Sequence, residues 1–225
     1  MKGLELLLLD IGANRGDAVV AGLKKGYKVV AVEAAPKVYA RLVQNFIYNP
    51  NVVPLRFAVS SENNKRIEFY ECVEDGLSTT NKDWLTLDGM PYAGKKYRTV
   101  KATTCTIDWL AERYGEPDLI KIDVEGAEWD VLKGMTQKYK KIAFEWTYET
   151  IDEHEGQLAY LMGLGFSKVA PEFIGRHLDE PETWYDLAKF SLKQWVDENA
   201  SAWENGGWKK ANLRPTADVG MIWVK

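Results

Sequence analysis

Asp10-Ile11-Gly12-Ala13-Asn14-Arg15-Gly16-Asp17 follows directly on the strand read over Leu4 to Leu9, with its apolar run Leu6 to Leu9, and this junction decides the fold. Consecutive leucines with no polar alternate read as a strand buried on both faces, the kind found in a parallel sheet under helices. The glycines then end the strand in a tight loop. Asp17 can cap a helix to about Lys25, where Gly26 supplies the stop. Tyr27 to Val32 is again apolar and β-branched and ends at Glu33. Pro36 opens a second helix whose Val38, Leu42, Val43 and Phe46 recur at helical spacing until Asn49-Pro50. Strand, helix, strand, helix is how a doubly wound α/β sheet begins.

The alternation continues outward from there. Val52 to Val59 reads as a third strand and Arg66 to Cys72 as an additional one in a less regular excursion. Thr106 can cap a helix closed by Tyr114-Gly115. Asp118 to Val124 is a fourth core strand, Ala127 to Lys133 a short helix, Lys141 to Trp146 a fifth strand. A helical stripe of Leu158, Leu161, Met162 and Leu164 precedes a strand near Phe166 to Val169, and Val219 to Val224 is the last strand. The expected domain is single, 1–225, interrupted at about 175–217 by an insertion rich in charge and Trp. Long insertions in compact α/β domains serve as lids or interaction surfaces.

Composition narrows the class. The chain has 225 residues, 29 Lys+Arg against 33 Asp+Glu, and 46% hydrophobic residues, which fits one domain with a substantial core. Mild acidity argues against tight non-specific binding to nucleic acid, which needs a basic face. Cys72 and Cys105 are far apart and signal neither a disulfide framework nor a cysteine zinc site; two reduced core cysteines are expected. With no apolar run of signal or membrane length, the expectation is a soluble, cytoplasmic protein without a membrane span. Oligomeric state is not legible.

In a doubly wound sheet, ligands bind beyond the carboxyl ends of the strands near the first loop. Gly12 permits a tight turn, Gly16 lets a ligand approach the backbone, and amides at the helix start favour an anionic group. A dinucleotide fingerprint needs glycine where Asn14 stands, and a P-loop needs Gly-Lys-Ser/Thr, which is missing. Asp10 would repel a pyrophosphate but suits a ligand with an ammonium group beside its carboxylate. Glu33, 21 residues after Gly12, is placed to accept both hydroxyls of a ribose. An amino acid at one end and a nucleoside at the other describe S-adenosylmethionine. The plain alternative is that Asp10 and Asp17 only cap and that Glu33 is a solvated strand end.

With these residues in view, the chain resembles a known family. Asp10 to Gly16, Val32-Glu33-Ala34-Ala35-Pro36, and Leu119-Ile120-Lys121-Ile122-Asp123-Val124-Glu125-Gly126-Ala127-Glu128 are similar to the three signature segments of FkbM-type methyltransferases. The resemblance implies a Rossmann-like class I methyltransferase, a seven-stranded mostly parallel sheet with helices on both faces and an antiparallel last strand. It implies S-adenosylmethionine as cofactor. Asp10, Gly12, Ala13, Asn14 and Gly16 would surround its methionine part, and Glu33 with Ala34 the ribose. Ala58 and Val59 would lie near the adenine, with Ser78 in an approaching small-residue loop, Gly76 to Thr79. Asp123 and Val124 would flank the reactive methyl. Many relatives carry helices before the first strand; three residues precede it here. The insertion is therefore expected to cover the pocket, and its deletion to weaken turnover while sparing the fold.

Methyl transfer from a sulfonium is an in-line displacement, and a hydroxyl acceptor also needs its proton removed. Asp123, Glu125 and Glu145 end central strands on the correct edge, with Asp123 the first choice as base or positioner and Glu145 the runner-up. Asp123 and Glu145 could instead hold Mg²⁺, but two carboxylates are too few to assert a metal site. His154 could enter the acceptor pocket as a base, or be a polar loop histidine; His177, beside Arg176, says less. Trp184, Trp195, Trp203 and Trp208 could bind sugar rings, or pack the insertion on the sheet. Lys209, Lys210 and Arg214 could meet an acidic acceptor, or be a solvated face. The reading is O-methylation of a hydroxyl on a glycan or other small molecule. The alternatives are an NAD-dependent oxidoreductase, opposed by Asp10 and Asn14, and a catalytically silent cofactor-binding module.

Overall fold

The computed structural model describes residues 6–74, 76–173, 178–203 and 219–225, with backbone alone for 200–203 and 219. The elements run β1 (Leu6–Ile11), α1 (Asp17–Lys24), β2 (Tyr27–Val32), α2 (Pro36–Phe46), β3 (Val52–Leu55), β4 (Ala58–Val59), β5 (Arg66–Cys72), α3 (Asp83–Thr86) and β6 (Tyr97–Cys105). They continue α4 (Ile107–Tyr114), β7 (Leu119–Ile122), α5 (Glu128–Leu132), β8 (Ile142–Thr147), α6 (Ile151–Gly163), β9 (Lys168–Phe173), β10 (Tyr185–Asp186), α7 (Leu192–Trp203) and β11 (Val219–Val224).

The main sheet has the order β10-β9-β11-β8-β7-β1-β2-β3. β3, β2, β1, β7 and β8 are parallel, and β11 runs antiparallel between β8 and β9. This is the expected Rossmann-like sheet with its reversed last strand, corrected in one respect. It carries eight strands, because β10, from the stretch read as an insertion, pairs with β9 through Tyr185 and Asp186.

Two further boundaries differ from the sequence reading. The third strand stops at Leu55; Ala58–Val59 turns away to join a separate three-stranded sheet, β4-β6-β5. β6 was not legible as a strand because polar and charged residues dominate its Tyr-Arg-Thr-Val-Lys-Ala-Thr-Thr-Cys segment. Only one face of it is covered, and β5 supplies its long-range partner in antiparallel register.

The caps follow the sequence closely. Thr106 accepts the Trp109 N–H at 3.1 Å and starts α4, and Pro36 occupies the first turn of α2, where its missing N–H costs nothing. For α1 the cap is Gly16, at φ 102°, and Asp17 is the first helical residue, favourably placed at the positive end of the helix dipole.

The sheet buries both faces. Leu9, Ile11, Ile120, Ile122 and Phe144 face α4, α5 and α6, while Leu8, Val29, Leu119, Ala143, Ala170 and Trp223 face α1 and α2. The described part of the insertion belongs to this core. Leu178 is buried on the α1 face, and Leu187, Leu192 and Val196 on the other. Trp195 stacks on Phe173 with centroids 4.8 Å apart, and Lys225 lies 3.8 Å from the Trp184 ring centroid. Asp179 pairs with Lys25 and Glu180 with Lys141 and Lys225. Four buried aliphatic side chains at about 1.5–3 kcal/mol each rival a domain's whole net stability. Deleting 175–217 would remove this burial, so a loss of stability is expected from the deletion along with any loss of turnover. Arg176, His177, Trp208, Lys209, Lys210 and Arg214 lie outside the described residues, as does the Trp203 side chain.

Cys72 and Cys105 are buried and unbonded to each other. Among the described residues no helix is long and apolar enough to cross a membrane. The carboxyl ends of β1, β2, β7 and β8 share one edge of the sheet, and the loops leaving them enclose the site.

Candidate active site

The loop after β1 is pressed against the end of β7. Gly12 sits at φ +77°, and a Cβ there would lie 1.8 Å from the Asp123 carbonyl oxygen, so only glycine fits. The Gly12 and Ala13 N–H groups both donate to the Val32 carbonyl at 3.0 Å, which ties the loop to β2 as well. Gly16 packs under the loop, where a Cβ would meet the Phe46 ring at 2.2 Å. Gly12, Ala13 and Asn14 thus form cavity wall, while Gly16 supports it from behind.

Glu33 ends β2 and joins two loops with one carboxylate. Oε2 accepts the Asn14 N–H at 3.0 Å and Oε1 the Ala35 N–H at 2.7 Å. Burial pushes its carboxyl up to about 7, against the pull of those two N–H groups. Ala34, Ala58 and Val59 continue the wall with Phe57 and Phe69, leaving a flat apolar slot beside the acid. From the far side Gly76, Ser78 and Thr80 close over the first loop, and a Cβ on Gly76 would stand 3.0 Å from Asn14 Nδ2.

The β7 end turns sharply through Glu125 at φ +59° and Gly126 at φ +81°. A Cβ on Gly126 would lie 2.4 Å from the Trp84 ring, so this glycine is demanded by packing. Glu128 accepts the Val124 N–H at 2.9 Å and holds the turn; burial raises its carboxyl to about 7. Asp123, Glu125 and Glu145 present carboxylate oxygens within 4.8 Å of one another. Burial, and next the neighbouring Asp123 charge, raises Glu125 and Glu145 well above the usual carboxylate range. Trp84 Nε1 donates to Glu125 at 3.5 Å. Tyr92 stands in the same field: burial first, then Glu125, Glu145, Asp123 and Glu149, raises its phenol and keeps it protonated.

The structure therefore brings together almost every residue singled out from sequence. Asp123, Val124 and Glu125 line the cleft with the first loop, Glu33 and Ser78, and the Glu145 carboxylate adjoins them. Asp10 is placed differently from the others. It is fully buried and not part of the wall; Lys121, which is, pairs with Asp10 at 3.4 Å and with Asp123 at 3.1 Å. His154 is not in the cleft at all. Its Nε2 accepts the Thr147 N–H at 3.1 Å, Nδ1 is 2.9 Å from Gln157 Oε1, and burial lowers it to about 4, so it is a neutral brace behind β8. Lys121, Phe57, Phe69, Thr80, Trp84 and Tyr92 were not found by sequence reasoning. Lys121 had one available signal, a lone cation in an otherwise apolar strand.

The cavity has a volume of about 260 Å³ and opens to solvent, close to the lower end of the 300–1,000 Å³ of ordinary ligand sites. The donor set fits S-adenosylmethionine: an acid at a strand end for a ribose, small and aromatic walls for a base, and a glycine loop for close backbone approach. The buried Asn14 Oδ1 has no hydrogen-bond partner among the described residues.

Comparison with known proteins agrees with the geometry. The Methyltransferase FkbM domain family matches residues 10–168. A hexuronic acid methyltransferase, AglP, of Haloferax volcanii is 33% identical over 142 residues, covering 61% of this chain and 53% of that protein. The chain thus spans about half the length of the curated relative it matches. Among solved structures, Aeropyrum pernix fibrillarin with natively bound S-adenosyl-L-methionine aligns over 98% of this chain and 66% of its own, at 12% identity and a TM-score of 0.46. A precorrin-6y C5,15-methyltransferase from Geobacter metallireducens aligns over 98% and 79%, at 11% identity and a TM-score of 0.43. S-adenosylmethionine is the cofactor that goes with the matched family, whose segment runs from the first loop through the acidic turn to the start of β9. The chain belongs to the FkbM methyltransferase domain family.

Proposed function

We propose that this protein is an S-adenosylmethionine-dependent O-methyltransferase acting on a hydroxyl of a glycan-type small molecule. The observation that carries the reading is the carboxylate cluster Asp123, Glu125 and Glu145 beside the first loop at the cleft. When bound, the cofactor supplies an electrophilic methyl group on a sulfonium. The chain's own residues must then align the acceptor oxygen with that methyl and take its proton as the C–O bond forms and the C–S bond breaks. Asp123 is the base or positioner in this scheme, held 3.1 Å from the Lys121 ammonium. Burial, and next the Asp123 charge, raises Glu125 and Glu145 well above the usual carboxylate range, which favours their O–H form as donors to a polar acceptor. The name of the Haloferax relative supports a uronic acid or similar sugar as acceptor.

The test has two stages. Calorimetry with S-adenosylmethionine, S-adenosylhomocysteine and NAD should show binding of the first two; preference for NAD overturns the reading. Mass spectrometry after incubation with deuteromethyl-labelled cofactor and a panel of hexuronic acid glycosides should then show transfer to oxygen. Cofactor binding with no transfer to any hydroxyl in the panel, or transfer to nitrogen, would refute the proposed chemistry.

A further inference from the structure

We propose that Lys121 is the positioning residue for the methionine end of the cofactor site: its ammonium clamps the Gly12 carbonyl to Asp123, with Asp10 as the buried counter-charge that keeps it in place. This rests on the reading of the cleft as an S-adenosylmethionine site.

Lys121 lies in the middle of the sheet. It stands opposite Asp10 of β1 and Ala143 of β8, and Asp10 stands opposite Ala31 of β2. Small residues on either side leave room for a lysine to lie across the sheet instead of reaching for solvent, and its side chain is only 12% exposed. Nζ is 3.2 Å from the Gly12 carbonyl oxygen, 3.4 Å from Asp10 Oδ1 and 3.1 Å from Asp123 Oδ2. The contact with Gly12 is a hydrogen bond, and those with Asp10 and Asp123 are ion pairs. Surrounded by these three partners, Lys121 acts by holding them together.

Asp10 supplies the anchor. It is fully buried, neither of its oxygens has a hydrogen bond among the described residues, and the Lys121 charge 3.4 Å away is its compensation. A buried cation is costly unless paired. Here burial works against the Lys121 charge, and Asp123 with Asp10 more than offsets it. The remaining acids around it, Asp17 at the start of α1, Glu33 on the β2 side, and Glu125 and Glu145 beyond Asp123, are all negative or neutral. Without the lysine, Asp10 and Asp123 would repel each other across the junction of β1 and β7, and the two loops would part. Those loops are the ones between which an amino-acid end has to fit.

Two nucleoside ligands separate this role from a merely structural one. S-adenosylhomocysteine carries the amino-acid end, and 5′-methylthioadenosine lacks it. By calorimetry, Lys121→Met should lower affinity for the first by at least about tenfold, the scale of one lost charge-assisted contact, and change the second less than about twofold. Equal loss for both ligands, no loss, or tighter binding of S-adenosylhomocysteine would each overturn the proposal. If Lys121→Met does not fold, Asp10→Asn is compared with Asp10→Asn/Lys121→Met, which leaves no bare buried carboxylate. The loss selective for S-adenosylhomocysteine should appear between those two, and its absence overturns the proposal equally. Wild-type protein that binds neither ligand would instead refute the cofactor reading on which it rests.

Discussion

Glu33→Gln should make the ligand-free protein less sensitive to pH while ruining its cofactor site. The Glu33 carboxylate is nearly fully buried, and burial raises it from 4.5 to about 7 despite two backbone N–H donors. Between those values the unfolded chain has released the proton and the folded chain still holds it. Folded protein binds more protons there, so stability falls as pH rises through about 4.5 to 7 and levels off above. The displacement corresponds to about 3 kcal/mol. Glutamine keeps one carbonyl oxygen for either Asn14 or Ala35 and turns a donor toward the other, at a cost of about 1–3 kcal/mol at every pH. The variant should therefore be the weaker protein at pH 5 and equal or better at pH 8. Urea unfolding of both proteins across that range gives the two slopes. Calorimetry at pH 8 should show S-adenosylhomocysteine bound at least about tenfold more weakly, as a carboxylate facing ribose hydroxyls is lost. If wild type and variant lose stability in parallel between pH 5 and 7, Glu33 is not a desolvated carboxyl and the reasoning fails.

Three further outcomes follow from the same geometry. Gly12→Ala would drive a Cβ to 1.8 Å from the Asp123 carbonyl oxygen at a positive φ; loss of cofactor binding with a lowered melting temperature is expected, and a fully binding variant would contradict the contact. His154 is held near 4 by burial against an ordinary 6.5, so the unfolded chain takes up a proton first and stability falls by about 3 kcal/mol as pH drops through 6.5 to 4. His154→Gln should flatten that acid limb in urea titrations, and an unchanged limb would show that another group causes it. Transfer activity should survive EDTA, because burial, and next the Asp123 charge, raises Glu125 and Glu145 well above the usual carboxylate range and so disfavours the ionised form a cation needs; inhibition reversed by added Mg²⁺ would assign the cluster to a metal.

What could be read from the sequence was what is local. The Leu6 to Leu9 run, the two-glycine loop and the Pro36 helix start each carry their structure within a few residues, and the spacing from Gly12 to Glu33 spans one strand-helix-strand unit. Residues supplied by distant segments were not legible. Trp84 and Tyr92 reach the acidic turn from the excursion after β5, where no period marks them, and β6 is a strand because β5 pairs with it. Asp10 was identified as important for its position at the loop, but its side chain is fully buried beside Lys121, its register partner, and Lys121 forms the wall in its place. The Trp-rich stretch read as a removable cover because nothing local shows Leu187, Leu192 and Val196 entering the core.

The Asp10 to Lys121 pair also bears on how the sheet assembles. β1 and β7 are far apart in sequence and both strongly apolar, so hydrophobicity alone would let them associate with the strands displaced along each other. Displacement by two residues keeps every side chain on its own face, which burial pattern does not penalise. It would set Leu8 or Gly12 against Lys121 in place of Asp10. Each such arrangement strands two opposite charges in the interior, at about 3–5 kcal/mol for a buried ion without its partner. The ion pair under the pocket is thus an alignment key for the two central strands, and the first loop and the acidic turn face each other as soon as those strands pair correctly.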